Sequence, residues 1–582
     1  MKGRIGNMIS CVEEMLLEKR SGDGFWRGYL SSSAISTSVS LFALAMKDPG
    51  KYSPLISNAA SWLKATMKED GTWGDSPESP SNMTATLLSY TALKYCGKVP
   101  RETETYLIGR FGSLSEDDII KGVLDCYGKD LTFSVPILSM CTLCGTVSSW
   151  DKIPAFPYEL AALPQKLFRF LQLPVVSYAI PALIAVGILR GKMGKKTPMS
   201  SFRTLFIPKC LKVMTRMQPS DGGFLEAAPL TGFVLMCMCA SGLGNHPVAQ
   251  KAASFLSSTV RSDGSWPIDS DLSTWVSTLS IKALGDTISN KEEMADGLKG
   301  RSIKKIHPFT NADPGGWGWT DLSGSVPDAD DTPGALIALH MLSCGKYSPE
   351  AEGGVRWLLG LQNYDGGIPT FCKGWTRLPF DSSSPDLTAH TLMAISLWKD
   401  SLPEALRKKC TKAERRMLSW LKKNQAADGS WSPLWFGCQD DPDGRNPVYG
   451  TSLVIDYMAT YCRKAKAVSP ETDEMLRRGR AFLVKSQNSD GGWGGNISLP
   501  SMVTTTSKAM CALSHEGATF RNALIGGLTF LEGRLSEGRM EEAEPIGLYF
   551  AKLWYSESMY NLTFCLDALK KTRKALIQDT VI

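Results

Sequence analysis

The chain has 582 residues, 43% hydrophobic and 21% charged, with 64 Lys+Arg against 58 Asp+Glu and a formal charge of +6. That is a folded, core-forming composition, which excludes a disordered chain, and at about 150 residues per domain it suggests two to four domains. The charge is mild for this length and no dense basic block occurs, so nucleic acid is excluded as an implied partner.

From the N-terminus, Met1 to Gly24 carries charge throughout and lacks the apolar segment of a secretion signal. The fifteen cysteines therefore read as free thiols of a reducing compartment. Cys141-x-x-Cys144 has metal spacing, but no second pair or histidine cluster completes a site, so it reads as part of a buried helix. No metal and no cofactor are expected.

A unit recurs along the chain: an apolar helical stretch, an Asp-Gly turn, then usually an aromatic residue. Copies centre on Asp70-Gly-Thr-Trp73, Asp221-Gly-Gly-Phe224, Asp263-Gly-Ser-Trp266, Asp365-Gly-Gly-Ile368, Asp428-Gly-Ser-Trp431 and Asp490-Gly-Gly-Trp493. Gly22-Asp-Gly-Phe-Trp26 and Gly315-Gly-Trp317 look like degenerate copies. Gln218, Gln362, Gln425 and Gln487 each lie six residues before the aromatic position. Asp-Gly stops a helix and turns the chain. A glutamine amide, with donors and an acceptor, can tie one helix end to the next, and a Trp ring can stack over it. Such a unit predicts an all-α array of helix pairs, closed into inner and outer helices. The grouping of copies predicts two (α/α) barrels: residues 22–284 as an inserted N-terminal barrel, and 1–21 with 285–582 as a C-terminal (α/α)6 barrel.

Two uncharged stretches approach membrane-helix length, Leu173–Leu189 and Ala227–Gln250. A spanning helix wants about 20 apolar residues, and prolines or polar residues interrupt both. Both read as buried helices. Phe168, Phe170, Leu171 and Leu173 beside Lys166 and Arg169 also fit insertion of one face into a leaflet.

Val326-Pro-Asp328-Ala-Asp330-Asp331-Thr332-Pro-Gly holds three carboxylates within four residues. Three readings compete for it. Aspartates before Pro333 suit a capped helix start. Clustered oxygens suit a hard cation, although the twelve-residue EF-hand spacing is absent. Crowded carboxyls in a poorly solvated pocket cannot all ionise, so one stays protonated and serves as a general acid. Asp386 and His390, four apart, share one face if their segment is helical.

The repeats, Gly315-Gly-Trp317-Gly-Trp319 before the Asp328-x-Asp330-Asp331-Thr332 cluster, Asp386-x-Thr-Ala-His390, and Tyr449-Gly-Thr after Trp431 to Trp435 together resemble the squalene-hopene cyclases. The resemblance runs from Trp26 to the Tyr549–Ala568 segment. It implies βγ-type double-barrel architecture and proton-initiated cyclisation of a linear polyprenoid, squalene to a hopene-type polycycle above all. In that likeness Asp330 is the acid, flanked by Asp328 and Asp331. His390, as a cationic imidazole, strengthens it, and Tyr449 helps return the proton. Trp275, Trp319, Trp435, Tyr549 and Tyr560 would line the cavity, where aromatic faces steady a moving cation without capturing it; ordinary core packing is the alternative for each taken alone. Asp330-Asp331-Thr332, in place of the Asp-Cys-Thr of epoxide-opening relatives, favours a plain alkene. The resemblance further implies a peripheral, monotopic protein on the cytoplasmic side of a membrane, with Pro154 to Ala185 as the inserting region, and a possible homodimer.

The chain also departs from the family pattern. Leu553 and Glu557 stand where Phe and Tyr are usual, the loop Thr370–Asp381 differs in pattern, and Ser and Thr replace glutamates between Ser31 and Ser38. A cyclase of a shorter isoprenoid, including a prenyl diphosphate, therefore stays open, although no basic diphosphate site is apparent. A protein-prenyltransferase-like subunit would need a zinc triplet that is missing. A non-catalytic lipid-binding toroid would need neither Asp330 nor His390.

Overall fold

The computed structural model describes residues 2–98, 100–128, 131–164, 180–371, 381–465, 469–548 and 553–578. Helices dominate; the strands Gly437–Cys438, Ile546–Leu548 and Leu553–Tyr555 form one small antiparallel sheet.

Six helices close a ring in the C-terminal half. In order around it they are Ser273–Leu284, Asp331–Ser343, Pro385–Trp398, Pro447–Ala465, Val503–Leu513 and Tyr560–Gln578, and the last packs back on the first. Nearly every residue of the Pro385, Val503 and Ser273 helices is buried, because inner helices are covered on all sides. Outer helices such as Glu404–Lys423 and Pro470–Lys485 bury one stripe and turn charged residues to water. Lys2–Glu18 is also outer, packed on Tyr560–Gln578. The expected boundary at 284 is therefore corrected. Ser273–Leu284 belongs to this ring, and without it Asp331–Ser343 and Tyr560–Gln578 would each lose a buried flank.

The N-terminal half repeats the scheme with five inner helices among the described residues. Ala34–Lys47, Met83–Tyr95, Leu131–Leu143, Ile180–Met193 and Ala228–Ala240 pack in sequence, the last on the first. Ala228–Ala240 is thus a buried helix, as its uncharged run suggested. Among the described residues no helix is long and apolar enough to cross a membrane. Residues 165–179, the centre of the expected inserting region, lie outside the described residues.

The repeat's chemistry is visible in each copy. The Asp accepts the N–H two residues on, as at Asp428 to Ser430 (2.9 Å) and Asp490 to Gly492 (2.9 Å). The Gly takes a positive φ, 93° at Gly429, where a Cβ would lie 2.5 Å from the Arg478 carbonyl oxygen. The Gln ties the turn to the next outer helix: Gln425 Nε2 donates to the carbonyls of Gly429 (2.8 Å) and Met475 (2.9 Å). Gln218, Gln362 and Gln487 do the same. The Trp indole has a further job: Trp73, Trp266, Trp431 and Trp493 each donate to the carbonyl ten residues back, at the end of the preceding helix.

Candidate active site

The turn after Trp317 carries the acidic cluster to the start of the Asp331 helix. Trp317 N–H donates to Thr332 Oγ1 (3.0 Å), and the equivalent bonds run from Ile368 to Thr388 and from Trp431 to Thr451. The threonines of the three motifs thus belong to the repeat and fasten each inner helix to its turn. They set the register that delivers Asp330, His390 and Tyr449 to the same end of the ring.

Asp328 does the capping. Its Oδ1 accepts the N–H groups of Asp330 (2.8 Å) and Asp331 (2.7 Å), whereas the Asp330 side chain makes no cap bond. The helix start is satisfied without Asp330, whose Oδ1 instead meets His390 Nδ1 at 2.8 Å. Capping thus falls to Asp328, and Asp330 is free to pair with His390.

Burial governs the electrostatics. It raises Asp328 to about 7 and Asp331 well above the ordinary carboxylate range, and the contact between these two carboxyls leaves them competing for a proton. Asp386, whose Oδ1 accepts from the Ser384 hydroxyl, is also raised by burial to about 7. His390 is pushed below the ordinary imidazole range by burial, with Asp330 pulling up and Lys282 and Lys508 pushing further down. The cationic imidazole expected from the resemblance is therefore disfavoured. A neutral ring that donates Nδ1–H to Asp330 Oδ1 fits better.

Tyr457 lies flat against His390, with centroids 4.5 Å apart and planes within 4°. Lys282 Nζ lies over the Tyr457 ring, 5.2 Å from its centroid. Behind it lies a buried ionic network. Lys571 binds Asp456 (2.8 Å) and Asp567 (3.1 Å), Lys282 binds the same two (3.4 and 3.3 Å), and His515 Nε2 meets Asp456 at 2.8 Å.

One apolar cavity opens from the acid cluster. Asp328, Asp330 and Asp331 lie in its wall with Trp275, Trp319, Trp435 and Tyr560. Trp275 meets His390 edge to face (6.4 Å), and Phe371 bridges Trp319 (6.3 Å) and Trp435 (5.0 Å). Tyr560 and Tyr555 share a hydroxyl contact of 2.7 Å. Tyr449 is buried; burial and the nearby Asp330 charge hold its phenol well above the ordinary range. Tyr449 lies outside the wall, and Tyr549 lies outside the described residues. Sequence reasoning missed Tyr457, Tyr555, Phe371 and Asp269. Tyr457 had one signal, its place two turns along the helix of Tyr449. Leu553 lines the cavity, whereas Glu557 is a structural acid, accepting from Tyr29 N–H and Met559 N–H at 2.7 Å each. Of the loop from Thr370 to Asp381, residues 372–380 lie outside the described residues. The described cysteines are free thiols, and no group of three His, Cys, Asp or Glu among the described residues could hold a metal ion.

Two family descriptions match the chain. The squalene-hopene cyclase C-terminal domain covers residues 305–574 and the N-terminal domain residues 9–106. The chain belongs to the squalene-hopene cyclase family. As a squalene-hopene cyclase family member it is a class II terpene cyclase, an enzyme. It is 23% identical to a probable squalene–hopene cyclase of Sinorhizobium fredii over 97% of this chain and 96% of the relative. A sporulenol synthase of Bacillus subtilis is 24% identical, with 76% of each chain covered. In fold it is similar to ent-copalyl diphosphate synthase from Streptomyces platensis: TM-score 0.57, 15% identity, 98% of this chain and 99% of that one.

Proposed function

We propose that this cyclase protonates a terminal alkene of a linear polyprenoid, squalene above all, and closes it to a hopene-type polycycle. The Asp330–His390 contact at the acidic end of an apolar, aromatic-walled cavity carries the reading. An alkene is a very weak base, so its donor must be a carboxyl kept from water and aligned. Asp330 is that donor. His390 fixes one of its oxygens, Asp328 holds the turn, and Asp331 shares the low-dielectric end. Tyr449 sits behind the acid, where it can help return the proton. Trp275, Trp319, Trp435 and Tyr560 offer ring faces to the cation.

The enzyme docks on a membrane with one apolar face. Met193, Met199, Phe202 and Leu205 are between 47% and 73% exposed, with Lys195 and Lys196 beside them. Detergent, and not salt, should release it from vesicles; release by salt alone rules out insertion.

The direct test is purified protein in detergent with squalene and, separately, geranylgeraniol, with hydrocarbon products analysed. Cyclised squalene from the wild type and none from Asp330→Asn is the expected result. Turnover surviving in Asp330→Asn removes the acid assignment, and cyclisation of geranylgeraniol alone moves the substrate to the shorter isoprenoids.

A further inference from the structure

A cyclisation that begins by gaining a proton must end by losing one or by capturing water. Among the described residues, the cavity wall contains one Asp or Glu outside the acid cluster, Asp269. It lies in the turn between Trp266 and the Ser273 helix, with its Oδ1 accepting the Ser270 N–H (2.8 Å) and the Trp319 indole alongside. An acid in an apolar wall is costly to bury without a purpose.

Glu226, 1% exposed, is tied to the same turn through Ser270, whose N–H and hydroxyl both donate to it. Its Oε1 accepts Gly324 N–H (2.6 Å) and its Oε2 the Ser270 hydroxyl (3.2 Å). Leu225 and Glu226 both hold positive φ, 58° and 56°, a conformation costly for side-chain-bearing residues and kept only where its surroundings enforce it. The twist leaves Leu225 in the cavity wall and Glu226 outside it. A Cβ at Gly324 would fall 2.5 Å from Glu226 Oε1, so the cradle around this carboxyl needs glycine. The Glu226 carboxyl in turn contacts that of Asp221, which is exposed and accepts the Ser323 hydroxyl (2.8 Å) and Gly223 N–H (2.9 Å). Burial lifts Glu226 to about 9 and Asp269 well above the usual range, so both carry exchangeable protons near neutrality. The flanking Asp271 lies against Arg27, which also meets Asp321.

We infer that Asp269 is the base that ends the cyclisation and that Glu226 and Asp221 pass its proton out to solvent. The inference rests on the reading of Asp330 as the initiating acid. In the final step a C–H bond beside the last cationic carbon breaks and its electron pair becomes the new C=C bond. The proton binds the free oxygen of Asp269. The hydroxyl proton of Asp269 moves to Glu226, that of Glu226 to Asp221, and one proton leaves to water. One proton enters at Asp330 and one departs at Asp221, so the net reaction is an isomerisation.

The test incubates wild type, Asp330→Asn, Asp269→Asn, Asp269→Glu, Glu226→Gln and Asp221→Asn with squalene and with geranylgeraniol. It reads total substrate consumed and the ratio of alkene to alcohol products, with thermal melts to confirm folding. Asp330→Asn should consume nothing. Asp269→Asn and Glu226→Gln should still consume substrate, with the alkene-to-alcohol ratio falling about tenfold. Asp269→Glu should recover the ratio and Asp221→Asn should move it least. An unchanged ratio in folded Asp269→Asn overturns the base while leaving the acid intact. If Asp269→Asn does not fold, an unchanged ratio in Glu226→Gln overturns the path. A wild type that consumes neither substrate overturns the proposed function on these polyprenoids, and the base with it.

Discussion

Two buried clusters of ionisable groups lie beside Tyr457, and they behave in opposite ways. In the network of Lys282, Lys571, Asp456, Asp567 and His515 every charge has an opposite partner. Burial is outweighed there: Asp456 and Asp567 fall below the ordinary carboxylate range, while the two lysines are pushed up. In the acid cluster Asp328, Asp331 and Asp386 are as deeply buried, yet face one another and Asp330, and they rise. The same side chain in the same ring of helices is thus held toward its ionised form in one cluster and toward its protonated form in the other. The cations decide which. Tyr457 touches both, with Lys282 5.2 Å from its ring centroid and the His390 ring stacked on it at 4.5 Å.

The sharpest way to break this contrast is to exchange the consequences of mutation. Asp330→Asn should lower turnover by about 10³-fold or more while thermal melts show no loss of stability, because the acid is not part of the helix cap. Asp456→Asn should do the reverse. Removing the shared partner of Lys282, Lys571 and His515 leaves two buried lysines sharing the single carboxylate of Asp567, at about 3–5 kcal/mol of unfolding free energy by chemical denaturation. Comparable stability losses from both variants would mean that the clusters are not functionally distinct.

The repeats were legible in the sequence because an Asp-Gly turn needs a backbone that few residues accept, and because Gln425 and its counterparts recur at fixed distance. The closing of the ring was not. Ser273–Leu284 follows a repeat turn like any other, and only its contacts with helices far along the chain assign it to the C-terminal half. The pairing of Asp330 with His390, sixty residues apart, was legible through the resemblance and through the shared face of Asp386 and His390. Asp269 and Glu226 were not, since a carboxylate in a turn is ordinarily a solvated turn former. Nor could the sequence foretell that His390 would be pushed below the ordinary imidazole range, because that follows from its burial in the ring and, less strongly, from the Lys282 and Lys508 charges on other helices.

A pH titration sharpens the contrast further. Asp386 is raised from an unfolded value of about 3.8 to about 7. A carboxyl raised on folding contributes stability that is complete below its unfolded value and lost as pH rises through its folded value. Asp456 and Asp567, held low, contribute stability present above about pH 4 and lost as pH falls through their folded values. Of these two clusters, only the acid cluster should therefore drain stability between pH 4 and 7. The difference in unfolding free energy between wild type and Asp386→Asn should change by about 2–4 kcal/mol across that window, at 1.36 kcal/mol per unit. The difference between wild type and Asp456→Asn should stay flat. A flat curve for both variants would place Asp386 in contact with water.

The smallest effect belongs to the pair with some of the best geometry. Arg477 and Glu474 meet at 2.6 Å on the Pro470–Lys485 helix, closer than Lys282 to Asp456 at 3.4 Å. Yet their side chains are 67% and 52% exposed, so water already satisfies each ion and the contact adds little. Arg477→Ala should leave the denaturation midpoint within experimental scatter at every salt concentration, while Asp456→Asn shifts it strongly. If the two variants moved the midpoint alike, distance would be the measure of an ion pair. The contrast within this molecule argues that desolvation is, for it is burial that makes the longer contact indispensable and the unpaired carboxyl reactive.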